Sequence, residues 1–593
     1  MKFAQNEKVV QRGLMNALFL IPAFILLLIF IHFATRSLDF SDESLYLYLS
    51  SNPSKESSLA GSWNWYLNIL FTATGGDIVV YRKVTLVITF TAAMLFSKSF
   101  VRTPNISSQS SAFDFRFLLN VGLSTGAAVF FYRYFLLTPG YNWLAFIGIL
   151  VALTGALHWI DKSGSPIWPV ITLCGLGIAT MGRPFSGIVI FIVMMSNTLI
   201  RNDVVNFRRN GKLFIGALLA FLLIHHRFIL PIPATIDNWR QITLVSQSEE
   251  SYSIHTLITE FARELIALPI HSIEVSHGLI FVPLVAIFLT FIVRASYSKK
   301  LALLSSVLAL IIFQIILLVS GVFKYLPSTS SQLGYALVTL VTFGILCSYL
   351  ICINSLRPNA DVIPTADDRN FKTKNILVLS GIVAYSFSSN NGTINQSIGI
   401  GVLYVALYLV NLSRFVHGKS GAIFMGFNAI FLIAALGQVT IGALQNPYRS
   451  VDISKNIYPV TIQGESTLFV SEERASDINE VKLLASLRNL DFSDSYLVDL
   501  SPFTPFVAYE MGFKTIETPL LINSQYLAEF ARRNDAKLQH AWILTSDTKN
   551  SLDVNVLLDE LDKTLDSDYE IVAVLHGRYC RNSECALSLW KPK

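Results

Sequence analysis

The chain has 593 residues, of which 52% are hydrophobic and only 14% charged, and its mean hydropathy is +0.52. Soluble globular proteins carry about a quarter of their residues as charged side chains, so this composition excludes a wholly soluble protein and predicts that lipid surrounds much of the chain. The net charge is +5, and no basic run is interleaved with aromatic residues, which leaves nucleic acid without support as a partner.

The first element is an apolar run over residues 14–33, preceded by Lys2, Lys8 and Arg12. About 20 apolar residues suffice to cross a bilayer, and no A-x-A cleavage site follows the run. The sequence therefore predicts a retained signal anchor with its N-terminus in the cytoplasm.

Apolar runs of spanning or nearly spanning length recur along the chain. They lie at residues 14–33, 83–97, 117–136, 143–160, 167–181, 186–200, 213–230, 278–293, 301–321, 334–354, 375–388, 397–412 and 422–443. The pattern predicts a mainly α protein, a polytopic bundle of about 13 transmembrane helices.

Lysine and arginine are distributed unevenly between the gaps that separate these runs. Alternate gaps are rich in them, for example around Arg208 and Lys299. Because positively charged loops stay in the cytoplasm, these gaps are predicted to lie inside. Three long segments then face outward, at residues 34–82, 231–276 and 444–593.

The segment 444–593 is predicted to be a separate extracytoplasmic domain, distinct from the transmembrane part at 1–443. Strands are predicted for the apolar runs 496–500, 541–544, 571–575 and 586–590. Helices are predicted for 481–490 and 551–565. Strands that alternate with helices indicate a small α/β domain.

The cysteines fall into two groups. Cys174, Cys347 and Cys352 lie in apolar stretches and are interpreted as buried residues. Cys580 and Cys585 flank a short polar turn, and they would close a disulfide loop in an oxidising compartment. This pair has no further Cys or His beside it and is a poor zinc site. A metal site stays open, because the carboxylates of Asp39, Asp42, Glu43 and Asp77 lie in one outward segment and would suit magnesium, manganese or calcium.

The first outward segment opens with two adjacent acidic residues, Asp42 and Glu43, shortly after the first span, and aromatic residues such as Tyr46 and Trp63 follow. A carboxylate at the rim of a membrane cavity can act as a general base. The alternative is that Asp42 caps a short helix beginning at Glu43. The residues by themselves leave both interpretations open.

An acidic pair directly after a first transmembrane helix resembles the GT-C-type glycosyltransferases. The likeness is to the branch that contains protein O-mannosyltransferases and the aminoarabinose transferase of lipid A. Further motifs similar to that branch are Tyr81-Arg82, the run from Thr138 to Leu144, and Gly182-Arg183-Pro184. The resemblance implies transfer of a sugar from a polyprenyl-phosphate donor to an acceptor hydroxyl, usually with inversion.

The resemblance and the outward position of the charges suggest roles for individual residues. Asp42 is implied to be the general base, with Glu43 orienting the acceptor or the sugar. The candidates for binding the donor phosphate are the outward cations Arg82, Lys83, Arg183, Arg240 and Lys324. The candidates for sugar or acceptor contacts are Tyr141, Asn142, Tyr325 and Asn391.

Plainer structural roles stay open for the same residues. Arg183 could be a snorkelling anchor, and Arg82 and Lys83 could only hold the end of the second span. Asn391 could belong to an ordinary Asn-Gly turn.

The partners that the resemblance implies are the lipid-linked sugar donor, a glycan, lipid or protein acceptor, and membrane lipid, with no metal or other cofactor. The expected location is a bacterial inner membrane with the C-terminal domain in the periplasm. Three other functions stay open: a polymerase or ligase of lipid-linked glycans, a lipid or glycan transporter, and a non-enzymatic scaffold whose working part is 444–593.

Overall fold

The computed structural model of the chain describes most of its length. The described residues are 20–53, 62–101, 115–160, 165–200, 204–247, 255–256, 258–260, 262–264, 266–267, 299–324, 333–342, 366–387, 393–415, 418–447, 450–463, 465–487, 492–501, 504–517, 521, 523–549, 551–580 and 583–593.

The first part of the chain is helical. Its helices are α1 (Leu20–Phe33), α2 (Asp42–Ser51), α3 (Trp63–Ala73), α4 (Ile78–Val101), α5 (Phe115–Gly126), α6 (Val129–Tyr134), α7 (Tyr141–Ile160), α8 (Ile167–Gly182), α9 (Pro184–Ile200), α10 (Val204–Ile224), α11 (Ile232–Gln247), α12 (Lys299–Val319), α13 (Leu333–Thr342), α14 (Ala366–Phe387), α15 (Thr393–Ser397), α16 (Gly401–Phe415) and α17 (Gly418–Gln445). A π-helical turn (His225–Ile229) continues α10, and a 3-10 turn (Ile398–Ile400) separates α15 from α16.

Within the described residues, three helices are long and apolar enough to cross a membrane: Ile78–Val101, Tyr141–Ile160 and Ile423–Gln445. A fourth span is formed if the pair Phe214–Ile229 and Ile232–Arg240, bent by 86°, counts as one. The predicted helical membrane protein is confirmed at the level of class, whereas the number of about 13 spans remains a prediction. The predicted run 278–293 lies outside the described residues.

One predicted span is not a single helix. The run 117–136 is divided, because α5 ends at Gly126 and α6 begins only at Val129. Glycine is a poor helix former, and a Cβ at Gly126 would come within 3.3 Å of both Leu436 and Leu26. The close approach of these two side chains explains why a glycine stands at the break.

Helices α7 and α8 pack against each other through small residues. A Cβ added at Gly148 would press on the backbone of Ala179, and one added at Gly175 would press on the backbone of Ala152. Small residues at a helix contact let two backbones approach closely, which is the usual basis of helix association in membranes. The pair holds the start of α7 beside the end of α8.

The C-terminal part combines strands with helices. Its elements are β1 (Tyr458–Ile462), β2 (Ser466–Val470), α18 (Glu472–Leu487), β3 (Tyr496–Asp499), α19 (Pro505–Met511), β4 (Lys514–Thr515), α20 (Ser524–Leu538), β5 (Trp542–Ser546), α21 (Val554–Glu560), α22 (Leu565–Asp568), β6 (Tyr569–Cys580) and β7 (Ser583–Pro592). A disulfide joins Cys580 and Cys585 at the β6–β7 turn.

Five of these strands form a mixed sheet in the order β4-β3-β5-β7-β6, and β1 and β2 form a separate hairpin. Strand β3 runs parallel to β4 and β5, whereas β7 is antiparallel to β5 and β6. Each of the four predicted strands coincides with a strand of this sheet, and the runs 496–500 and 541–544 each extend one residue beyond it. The sequence did not predict the β1–β2 hairpin or the helix α20, because neither element contains a long apolar run.

Candidate active site

The chain turns sharply before the acidic pair and then enters α2. Ser37 has a positive φ of 70°. The Asp39 carboxylate accepts hydrogen bonds from the Ser41 hydroxyl at 2.8 Å and from the Glu43 amide at 3.3 Å. Ser41 is the N-cap of the helix and Asp42 is its first residue, while the Asp39 carboxylate binds an amide of the first turn. The capping role considered for Asp42 is therefore wrong, because the N-cap position belongs to Ser41.

Glu43 and Arg82 form a buried ion pair. Their side chains are 3% and 1% exposed, and the closest oxygen and nitrogen are 2.5 Å apart. All five N–H groups of Arg82 donate hydrogen bonds inside the protein. The acceptors are Thr138 Oγ1, Glu43 Oε1 and the carbonyl oxygens of Ala34, Arg36 and Ser37.

This network changes the interpretation of both residues. Arg82 has no donor left for a lipid phosphate, and Glu43 Oε1 and Oε2 accept from Thr138, Arg82 and the Asp39 amide. The pair instead joins the end of α1, the start of α2 and α4. The network therefore supports a structural role for Arg82 and Glu43, and their predicted contacts with the donor phosphate and the substrate stay predictions.

Asp42 is half-buried and lines a cavity of about 60 Å³, which is enough room for a few water molecules. The cavity lies among α2, α6, α7 and α15. The other lining residues are Tyr46, Phe131, Tyr134, Phe135, Leu136, Thr138, Gly140, Tyr141, Asn142, Trp143 and Gln396. The predicted residues Asp42, Tyr141 and Asn142 thus meet in one place.

An aromatic cluster forms one wall beside Asp42. The Tyr46 ring makes edge contacts with Trp63 at 5.7 Å and with Tyr141 at 5.9 Å between ring centroids. Gly140 permits this arrangement, because a Cβ there would lie 2.5 Å from the Tyr46 ring. Aromatic faces of this kind can pack on the apolar faces of sugar rings.

Arg183 stands directly behind the cavity. Its side chain is buried, with 2% exposure, and it donates to Asn142 Oδ1 and to Gln396 Oε1, both of which belong to cavity-lining residues. It also donates to the Tyr385 carbonyl oxygen at 2.6 Å, and its guanidinium lies 4.4 Å from the centroid of the Tyr385 ring. These partners come from α7, α14 and α15.

The partners of Arg183 are all neutral. No ion pair between Arg183 and a carboxylate is found within the described part of the chain. A buried cation without a counter-ion is costly, and an anion bound beside it would offset that cost. The arrangement is suited to a phosphate held next to the cavity that Asp42 lines.

The remaining predicted phosphate ligands are not brought to this cavity. Lys83 is half-buried on α4. Arg240 is exposed on α11 and pairs with Asp237 at 3.7 Å. The backbone carbonyl of Lys324 accepts a bond from Arg133. Tyr325 and Asn391, predicted to contact sugar or acceptor, lie outside the described residues.

Two buried polar residues were missed by sequence reasoning, and the first of them belongs to the site. Gln396 lines the cavity and binds Arg183, and only its place in a polar outer turn hinted at this. Arg133 is buried and donates to the carbonyl oxygens of Asn446 and Lys324. Its position inside a predicted span, where charge is costly and tends to be functional, was a signal that could have identified it.

No family model and no curated protein matches the chain. Two crystal structures of ArnT from Cupriavidus metallidurans are similar to it. The apo structure aligns over 99% of this chain and 98% of its own, with 13% identity and a TM-score of 0.37. The structure bound to undecaprenyl phosphate aligns over 97% of both chains, with 11% identity and the same TM-score. A likeness of this size says nothing about individual side chains.

Proposed function

We propose that the chain is a membrane glycosyltransferase. It moves a sugar from a polyprenyl-phosphate donor to an acceptor hydroxyl at the outer face of a bacterial inner membrane. Asp42 is the general base, and the reaction inverts the anomeric carbon. The observation that carries this proposal is that Asp42 lines the same cavity as Asn142 and Gln396, the two side chains that bind the buried Arg183.

The chemistry needs one base and one site for a leaving anion. The acceptor oxygen attacks the anomeric carbon while the Asp42 carboxylate takes the hydroxyl proton. The bond from that carbon to the phosphate oxygen breaks, and its electron pair leaves with the polyprenyl phosphate. A single displacement of this kind inverts the carbon.

Arg183 is suited to the leaving phosphate. Negative charge develops on the phosphate in the transition state, and a cation already in place lowers the barrier without reorganisation. Asn142 and Gln396 hold the guanidinium from two helices, so its position does not depend on the ligand. Tyr46, Trp63 and Tyr141 would receive the sugar or the acceptor.

Replacing Asp42 with Asn tests the assignment of the base. Asn keeps the shape of the side chain but cannot take the proton, so we expect transfer to fall by about 10²- to 10⁴-fold. The assay uses purified protein in liposomes with undecaprenyl-phosphate-linked single sugars as donors and cell-envelope lipid and protein fractions as acceptors. New glycosidic products are detected by mass spectrometry.

Asp77→Asn is the matched control. Asp77 lies in the same outward segment and accepts hydrogen bonds from the amides of Val79 and Val80 at the start of α4, and Asn caps helices as well as Asp does. We expect its activity to be unchanged. Full transfer by Asp42→Asn would remove Asp42 as the base.

The same liposomes separate the other functions. Movement of the lipid-linked sugar across the bilayer without a new glycosidic bond would identify a transporter. Transfer only from donors that carry an oligosaccharide would identify a polymerase or ligase.

A further inference from the structure

The segment that carries Asp42 is held by the C-terminal part of the chain on both sides. Before Asp42, the backbone of Phe469 in β2 bonds to the stretch that follows α1. The Ser37 amide donates to the Phe469 carbonyl and the Phe469 amide donates to the Thr35 carbonyl, both at 2.8 Å. This is a short parallel bridge between residues that are far apart in sequence.

Phe40, two residues before Asp42, is enclosed by groups from the C-terminal part. Its ring stacks on Phe506 at 4.1 Å between centroids and at an interplanar angle of 11°. The guanidinium carbon of Arg474 lies 3.8 Å from the centroid of the Phe40 ring. Phe40 is only 2% exposed, so its ring is packed between an aromatic ring and a cation.

The third contact lies beyond Asp42, on α2. The Tyr48 hydroxyl donates to the Phe513 carbonyl at 2.9 Å and accepts from the Thr515 amide at 2.8 Å. These bonds attach α2 to the edge strand β4 of the C-terminal sheet.

The charged groups Arg474 and Asp39 also interact beside Phe40. Burial lowers the pKa of Arg474, and the nearby Asp39 carboxylate opposes that change. Asp39 accepts a hydrogen bond from the Glu43 amide in the first turn of α2, so the cation that covers Phe40 is also close to a group that binds the start of the helix carrying Asp42.

We propose that the C-terminal part is a clamp that positions Asp42, with Phe469, Arg474, Phe506, Phe513 and Thr515 as its contacts. The inference rests on the proposed function, because it gives the C-terminal part a role in the reaction assigned to Asp42. Arg474 and Phe506 are its positioning residues, and neither lines the cavity.

If these contacts are lost, we expect Asp42 to lose its orientation while the protein still binds the donor. Aromatic stacking and a cation over a ring each stabilise one arrangement of Phe40 over others. If either is lost, the start of α2 samples other positions, and a small misplacement of a catalytic group lowers the rate steeply. Arg183 lies outside the clamp, so binding of the donor phosphate should be retained.

The test uses Phe506→Leu and Arg474→Met in the full chain, reconstituted in nanodiscs. Amide hydrogen exchange of residues 38–48 should become about tenfold faster in each. In the transfer assay, kcat should fall by about 10- to 100-fold while KM for the donor stays within about twofold. Arg474→Lys keeps a cation over the ring and should recover most of both properties.

Phe530→Leu is the matched control. Phe530 is equally buried, at 1% exposure, but packs with Tyr526 on the other side of the sheet, so the same truncation should leave exchange of 38–48 and kcat unchanged. The clamp would be overturned if Phe506→Leu and Arg474→Met showed the same hydrogen exchange and the same kcat as this control.

The two readouts separate the clamp from the proposed function. The unmodified protein could make no glycosidic bond while Phe506→Leu and Arg474→Met exchange faster. That result would retain the clamp and reject the transferase. Normal transfer in the unmodified protein with no effect of either substitution would retain the transferase and reject the clamp.

Discussion

Two buried arginines, Arg82 and Arg183, have opposite surroundings. Arg82 is neutralised by Glu43 and donates all its N–H groups inside the protein. Among the described residues, Arg183 donates to amide and carbonyl oxygens and to no carboxylate. Removing one partner of a buried ion pair is strongly destabilising, whereas a buried cation with neutral partners would be stabilised by a bound anion. In the sequence both are outward arginines beside an apolar run, and nothing local distinguishes them.

We expect Arg183→Gln to weaken binding of undecaprenyl phosphate by about 10- to 100-fold, because a charge-assisted hydrogen bond is worth about 1.5–3 kcal/mol. Titration of the protein in nanodiscs, followed by intrinsic fluorescence, measures the affinity. Arg240→Gln is the control, since Arg240 is 77% exposed and does not line the cavity. Equal affinity of the two variants would contradict a phosphate site at Arg183.

The Arg82→Gln variant should behave differently. It leaves Glu43 buried without its counter-ion, which costs about 3–5 kcal/mol of folding free energy. The melting temperature should therefore fall further in Arg82→Gln than in Arg183→Gln. If Arg82→Gln were stable but bound no lipid phosphate, Arg82 would be identified as a ligand of the phosphate.

At the scale of elements, the packing of α7 against α8 brings Arg183 beside the cavity that Asp42 lines. Asn142 lies at the start of α7 and Arg183 directly follows α8, so their bond depends on the register between the two helices. Glycines at the contact let the backbones meet. The sequence predicts both helices, but the contact between them involves pairs far apart in the chain, which periodicity does not reveal.

Gly175→Ala should disturb this register. The added Cβ meets the backbone of Ala152, and overpacking of a close contact costs about 1–3 kcal/mol. We expect a lower melting temperature in detergent and weaker binding of undecaprenyl phosphate. Gly437→Ala is the control, because a Cβ there meets nothing within 4 Å. A Gly175→Ala protein as stable as the control would contradict the close contact.

At the scale of the whole molecule, the proposed function requires the site and the C-terminal part to face outward. The clamp contacts put Asp42 and the C-terminal sheet on the same side. The uneven distribution of basic residues predicts which side that is. We propose that this side is extracytoplasmic, in agreement with the predicted orientation.

Cysteine labelling measures this orientation. In a background with Ala at Cys174, Cys347 and Cys352, Asp494→Cys should react with a membrane-impermeant maleimide in intact cells, because the Asp494 side chain is 95% exposed in the C-terminal part. Lys98→Cys, exposed at the predicted inner end of α4, should react only after permeabilisation. The reverse pattern would invert the proposed topology.

The sequence by itself determined the class of protein, the candidate base and most strands of the C-terminal sheet. These depend on local properties: apolar length, charge next to a span, and short apolar runs between polar turns. It also placed Asp42, Tyr141 and Asn142 among the site candidates, and the structure brings these three to one cavity.

Only the tertiary structure decided which buried arginine lies beside that cavity and which residues contact the segment that carries Asp42. Arg183 meets Asn142, Tyr385 and Gln396, and Phe40 meets Phe506. These partners are separated by tens to hundreds of positions, and a single sequence records residue type but not distance between residues. Whether a buried arginine is neutralised depends on such long-range contacts, so its role emerges only when the chain is folded.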